Sequence, residues 1–102
     1  MTENEAIETI KACLYAEDSI PVKLNLREGI DRELVTKLFE AMEYLTDIYK
    51  NSRFVPKELA MVFIDISTPF ERAYSLYSEK EQEEIFDIKE KIVELAEEIF
   101  SV

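Results

Sequence analysis

The sequence contains no histidine. Histidine is the commonest general base, the commonest metal ligand and the usual pH switch near neutrality. The chain therefore lacks the residue that most often fills these three roles. The single glycine excludes a glycine-rich phosphate loop. We therefore expect no enzymatic activity, no cofactor and no metal. Catalysis by carboxylates and a metal is the remaining alternative, although nothing in the sequence singles out a pair of acids.

Only one cysteine is present, Cys13. One thiol forms no internal disulfide and builds no cysteine-based zinc cluster. Cys13 falls on the apolar face of the first predicted helix, beside Ile10 and Leu14. This position indicates a small buried hydrophobic side chain rather than a reactive thiol.

Basic residues are also scarce: 12 stand against 23 acidic residues, giving a net charge of −11 and an isoelectric point near 4.4. Such a charge repels nucleic acid and anionic membranes and attracts basic proteins. We expect a basic protein partner, no nucleic acid and no membrane, although many small soluble domains are simply acidic. The first residues are acidic, whereas a signal peptide begins with basic residues. No window of the sequence approaches the roughly 18 apolar residues of a membrane span. The expected location is cytoplasmic.

The chain has ample apolar material, with 47% hydrophobic and 11% aromatic residues, too much for a disordered acidic tail. One glycine and three prolines leave little material for hairpins, whereas long segments rich in Glu, Lys, Leu, Ile and Ala favour helices. The sequence predicts an all-α fold with a single domain over residues 1–102. We expect a compact bundle of four to five helices with one irregular or extended segment at about 19–30.

Capping residues mark the predicted helix boundaries. A Ser or Thr followed three residues later by Glu predicts a capping box, and an Asp before an apolar-periodic run predicts a simple cap. The second helix is expected to run to about Lys50 and the last to Phe100. The predicted caps are, in order, Thr2 with Glu5, Asp31, Thr68 with Glu71, and Ser78 with Glu81.

Residues 59–66 have apolar side chains almost all the way round a helix, which predicts an element buried on most sides. Pro56 suits the first turn of this helix, and residues 67–69 end it. A short buried strand is the alternative. Glu58 and Asp65, seven residues apart, are expected to share a narrow polar strip, either as an edge facing water or as a recessed acidic site.

Residues 19–30 lack a helical period. Within them, residues 21–26 alternate between apolar and polar, which is typical of a strand, and Gly29 marks a turn. One strand has no partner in a helical chain. We therefore expect this segment to pack as extended chain over the bundle, or to pair with a second copy or a foreign strand edge.

The last helix carries an unusual set of four glutamates near its end. Like charges four residues apart repel one another, and the carboxyl end of a helix prefers cations. Residues that destabilise a helix locally, without a compensating contact, often have a function. These glutamates are therefore candidate partner-binding residues, with a solvated surface as the alternative. They are Glu90, Glu94, Glu97 and Glu98; further candidates are Glu58, Asp65 and the tyrosines Tyr74 and Tyr77.

The acidic charge, the small size and the lack of recognisable catalytic residues together indicate a stoichiometric binder. We expect a small acidic helical protein that neutralises a basic protein partner, which is the chemistry of an immunity protein, an antitoxin or another inhibitor. The alternative is a structural or assembly module that forms a homodimer through apolar helix faces.

Overall fold

The computed structural model describes residues 1–101, and over that range the chain forms helices and no strand. The all-α class predicted from the sequence is confirmed. The helices are α1 (Glu3–Leu14), α2 (Ile20–Asn25), α3 (Arg32–Ile48), α4 (Lys57–Phe63), α5 (Ser67–Arg72) and α6 (Glu79–Phe100), with a 3-10 turn at Tyr74–Leu76 between α5 and α6.

Side-chain caps fix the starts of the three longest helices, as the sequence predicts. At α1, the N–H of Glu5 donates to the Thr2 hydroxyl and the N–H of Thr2 donates to the Glu5 carboxylate, both at 3.1 Å. The same capping box begins α6 at Ser78. At α3, the N–H of Leu34 donates to the Asp31 carboxylate at 3.1 Å. Such a cap contributes about 1 kcal/mol, because it satisfies an otherwise unpaired donor.

α1 and α3 lie side by side and run antiparallel. At one end, the hydroxyl of Tyr49 donates to the Glu3 carboxylate at 2.6 Å. At the other, the thiol of Cys13 lies 3.4 Å from the carbonyl oxygen of Leu34. The burial predicted for Cys13 is confirmed, because the side chain is enclosed by this pair of helices and the core.

α3 runs parallel to α6 and closes the core against it. Arg32 pairs with Glu84 near the starts of both helices, and Lys91 contacts Glu43 at 3.9 Å further along. All six helices contribute to one continuous hydrophobic cluster. Its largest fully buried side chains include Ile10, Ile20, Leu24, Leu38, Met42, Leu45, Leu59, Phe70, Ile85, Ile92 and Ile99.

The prediction of an extended segment at 19–30 is wrong for its first half, because Ile20–Asn25 forms α2, with a proline in its first turn. Ile20 and Leu24 are buried, and a spacing of four fits one face of a helix as well as alternation fits a strand. Beyond the helix, Arg27 and Gly29 adopt positive φ angles of 64° and 85°. The segment therefore presents no strand edge to a second copy.

The predicted central helix is shorter and less buried than the sequence indicates. α4 ends at Phe63, and Asp65 follows with a positive φ of 54°. Leu59 is fully buried, but Met61 is 62% exposed and Ile64 is 67% exposed. Because α4 ends at Phe63 and the chain turns at 64–66, the apolar residues of 59–66 do not all surround one helix axis.

α5 also begins differently from the prediction. Its cap residue is Ile66 and no side chain caps it, so the predicted capping box of Thr68 and Glu71 is wrong. The Thr68 hydroxyl instead donates to the Asp65 carboxylate at 2.6 Å. This hydrogen bond spans the turn between α4 and α5.

Candidate partner-binding surface

One side of α6 carries large apolar residues that the core does not cover completely. Phe86, Val93 and Phe100 follow one another at seven-residue spacing, which keeps them on one side of a helix with only about 20° of drift per step. Phe86 is 44% exposed, Phe100 is 38% exposed and Val93 is half-buried. We call these three residues the apolar stripe.

A row of acids runs beside the apolar stripe. Glu83, Glu90 and Glu97 each precede a stripe residue by three positions, so each carboxylate is a surface neighbour of one apolar side chain. All three are exposed. Glu90 lies 3.5 Å from the amine of Lys89, whereas Glu83 and Glu97 form no ion pair within residues 1–101. We call these three glutamates the acidic row.

Two clefts lie along this side of α6, one towards each end. The C-terminal cleft, of about 280 Å³, has a mainly apolar lining of Phe63, Ile66, Val93, Ala96, Glu97 and Phe100. Its rings Phe63 and Phe100 meet edge to face, with centroids 6.0 Å apart. The N-terminal cleft, of about 620 Å³, is more acidic and is lined by Tyr74, Glu79, Gln82, Glu83, Phe86 and Asp87.

A buried lysine separates the two clefts. The amine of Lys89 lies 4.5 Å from the centroid of the Phe86 ring and 3.4 Å from the Glu71 carboxylate. Burial disfavours the charged amine, but Tyr74, Glu71 and Glu90 outweigh this effect and raise the pKa of Lys89. Lys89 therefore stays charged at neutral pH, and its amine is held against Glu71 and Glu90 between the two clefts.

The four glutamates predicted at the end of α6 do not act as one cluster. Glu90 and Glu97 belong to the acidic row. Glu94 is turned about 100° from Val93, and Glu98 about 100° from Glu97, because the residues of each pair are consecutive on the helix. All four are exposed. The structure thus divides them between the edge of the apolar stripe and the outer face.

The expected acidic strip of Glu58 and Asp65 is wrong, because only Glu58 lies in α4 and the chain turns before Asp65. Glu58 contacts the amine of Lys11 at 3.3 Å. Asp65 accepts the hydrogen bond from Thr68 described above. Both residues are exposed, so no recessed acidic site is formed by them.

The two candidate tyrosines occupy different places. Tyr74 lines the N-terminal cleft, and its buried hydroxyl has no hydrogen-bond partner within the described chain. The Tyr77 hydroxyl is bonded to the backbone of residues Leu24 and Gly29. The Tyr77 hydroxyl therefore stabilises the fold, and of the two tyrosines only Tyr74 lines the candidate surface.

Several residues of this surface were not predicted from the sequence, among them Glu83, Phe63 and Ile66. A signal for Glu83 exists, since it continues the seven-residue spacing of Glu90 and Glu97. Phe63 ends α4 and Ile66 lies in the turn before α5, and no local pattern connects these two positions with α6. Their place in the C-terminal cleft follows only from the packing.

The surface offers carboxylates, aromatic rings and aliphatic side chains. Within residues 1–101, no group of three or more Cys, Asp or Glu side chains is arranged to hold a metal ion. No helix in that range is long and apolar enough to cross a membrane. Comparisons of the chain with protein-family models, with curated proteins and with solved structures find no match.

Proposed function

We propose that this protein is a stoichiometric binder of a basic protein partner, acting as an inhibitor of the immunity-protein or antitoxin kind, without catalysis. The observation that supports this proposal is the acidic row running beside the exposed apolar stripe of α6. Apolar side chains supply the free energy of association, and a rim of one charge selects a partner of the opposite charge. The surface combines both.

Some of the charges on α6 destabilise the unbound protein. The last turn of α6 carries no basic residue, although cations are preferred there. Glu79 and Glu83, which line the N-terminal cleft, are four residues apart and repel each other by a few tenths of a kcal/mol. A basic partner relieves both penalties on binding.

The homodimer alternative is less favourable on this surface. Two copies joined through the apolar stripe bring their acidic rows together, and each chain carries a net charge of −11. Like charges brought close at an interface oppose association. Light scattering at high protein concentration tests this, because a stable dimer would support the assembly module instead.

The proposal is tested by capture from a lysate of the source organism, with mass spectrometry of what is retained. A row variant and a control variant each replace three exposed glutamates by glutamine, so their net charges are equal. The control sites are exposed and form no ion pair within the described residues. The row variant is Glu83→Gln, Glu90→Gln and Glu97→Gln, and the control is Glu17→Gln, Glu28→Gln and Glu40→Gln.

We expect the wild type and the control variant to retain the same basic protein at physiological salt, and the row variant to lose it. The loss should arise mainly from slower association, and the difference between the variants should shrink as salt is raised. Equal retention by all three proteins contradicts the proposal, as does an equal loss in both variants.

A further inference from the structure

We infer that the partner presents a basic amphipathic helix, which lies along α6 with an apolar side chain in the C-terminal cleft and a Lys or Arg in the N-terminal cleft. This inference rests on the proposed function. It adds that the bound segment is helical and that its apolar and basic anchors lie at opposite ends of the surface. It follows from the spacing of the apolar stripe and from the difference between the two clefts.

The shape of the segment follows from the stripe. Phe86 and Phe100 are fourteen residues apart on one helix, which corresponds to about 21 Å. A second helix with apolar residues at the same seven-residue spacing matches such a straight seam along its whole length. An extended strand binds by adding to a sheet edge, and residues 1–101 contain no sheet.

The positions of the apolar and basic anchors follow from the different linings of the two clefts. The C-terminal cleft is walled by Phe63 and Phe100 and has one carboxylate, Glu97, at its rim. A large apolar side chain fits that lining. The N-terminal cleft has carboxylates at Glu79, Glu83 and Asp87, which are suited to an ammonium or a guanidinium group. Glu83 and Glu97 are fourteen residues apart, so the two anchors of the partner are about two heptads apart.

The occupant is not a second copy of α6. The apolar stripe of α6 has acids on its flank, so a copy of α6 would bring carboxylates towards the N-terminal cleft, where a cation is needed. Lys89 does not supply that cation, because its amine is buried against Glu71 and Phe86. The segment therefore belongs to another, basic protein.

The test uses synthetic peptides of 21 residues and the full chain. The first peptide places leucines at helical seven-residue spacing, with lysines and arginines on the flanks and concentrated at one end. The second has the same composition, but its leucines alternate with basic residues as in a strand. Affinity is measured by fluorescence anisotropy and helix formation by circular dichroism, at 50 mM and 150 mM salt.

We expect the helical peptide to bind at least about tenfold more tightly than the alternating peptide and to gain helicity on binding. Val93→Glu in the apolar stripe should weaken this binding by about tenfold or more. The matched control is Leu26→Glu, because Leu26 is an exposed apolar residue outside this surface, and it should bind as the wild type does. Circular dichroism checks that both variants are folded.

The outcomes separate the two proposals. If both peptides bind equally and the row variant releases both, a basic partner is still supported but the helical segment is refuted. If the helical peptide binds equally to the Val93→Glu and wild-type proteins, the placement on the apolar stripe is refuted. If neither peptide binds even at 50 mM salt, the inference and the proposed function both fail.

Discussion

The hydroxyl of Tyr77 donates a hydrogen bond of 2.7 Å to the backbone carbonyl of Leu24. The same hydroxyl accepts a hydrogen bond of 3.1 Å from the N–H of Gly29. Leu24 is buried in α2, and Ser78, the cap of α6, follows Tyr77 directly. One side chain therefore ties the turn after α2 to the start of α6, fifty-three residues away in sequence.

Tyr77→Phe should lower the free energy of unfolding by about 1–3 kcal/mol, because it leaves the Leu24 carbonyl and the Gly29 N–H without their partner. Urea denaturation measures the loss. The control is Tyr15→Phe, the same change at an exposed ring, and it should stay within about 0.5 kcal/mol of the wild type. Equal effects of the two substitutions would show that the Tyr77 hydroxyl does not stabilise the fold.

The apolar residues of α4 should differ sharply in their contributions to stability. Leu59→Ala removes a fully buried side chain, and we expect it to cost about 2–5 kcal/mol through lost burial and a cavity. Met61→Ala changes an exposed side chain and should cost less than about 0.5 kcal/mol. Phe63→Ala should fall between them, because the ring is only half-buried at the edge of the C-terminal cleft. Denaturation of all three variants tests this order, and a large loss for Met61→Ala would contradict it.

The predicted features that the structure confirms are set by local interactions. The caps at Thr2, Asp31 and Ser78 depend on side chains and backbone groups within three residues of one another, so a short sequence pattern is enough to identify them. The apolar faces of α1, α3 and α6 extend over several turns, and a long helical period leaves little room for another interpretation.

The errors come from short segments, where tertiary contacts decide the outcome. Residues 21–26 fit a strand by alternation, whereas Ile20 and Leu24 fit one face of a helix by their spacing. The amide of Asn25 donates to the carbonyls of Pro21 and Pro69, and the contact with Pro69, forty-four residues away, is invisible in the local pattern. The break at Asp65 likewise depends on a left-handed backbone conformation in a stretch that reads as continuous helix.

Part of the candidate surface can be predicted from the sequence. The seam of Phe86, Val93 and Phe100 is evident from the spacing, and so is the acidic character of its flank. Spacing alone does not show whether another helix covers such a seam. The exposure of Phe86 and Phe100 follows from the positions of α5 and of the end of α4, which contact α6 through Glu71 and Phe63 respectively.

The row variant defined above should be as stable as the wild type or up to about 0.5 kcal/mol more stable. Replacing Glu83 and Glu97 removes repulsion from neighbouring acids, and Glu97 also lies at the unfavourable end of the helix. The loss of the contact between Glu90 and Lys89 should cost little, because Glu90 is exposed and the buried amine of Lys89 keeps its contact with Glu71. Thermal and urea denaturation measure the effect. A row variant destabilised by more than about 1 kcal/mol would show that the acids support the fold, and would weaken the case for a partner-binding role.

The buried thiol of Cys13 should make stability fall at high pH. Burial raises the pKa of this thiol from 9.0 to about 11. Below about pH 9 the thiol is protonated in both states, so its contribution to stability is complete. Between about pH 9 and 11 the unfolded chain releases the proton while the folded chain retains it, and stability falls by up to about 1.4 kcal/mol per pH unit.

Urea denaturation of the wild type and of Cys13→Ala at pH 8, 9 and 10 isolates this effect. The pKa values of Tyr49 and several lysines are also raised, but these groups are present in both proteins and cancel in the comparison. Cys13→Ala should carry a constant loss below pH 9, because it removes a buried sulfur. Above pH 9 the wild type should lose stability more steeply than the variant, so that the two curves converge. Parallel curves up to pH 10 would show that the thiol titrates alike in the folded and unfolded chains, which would contradict its enclosure between α1 and α3.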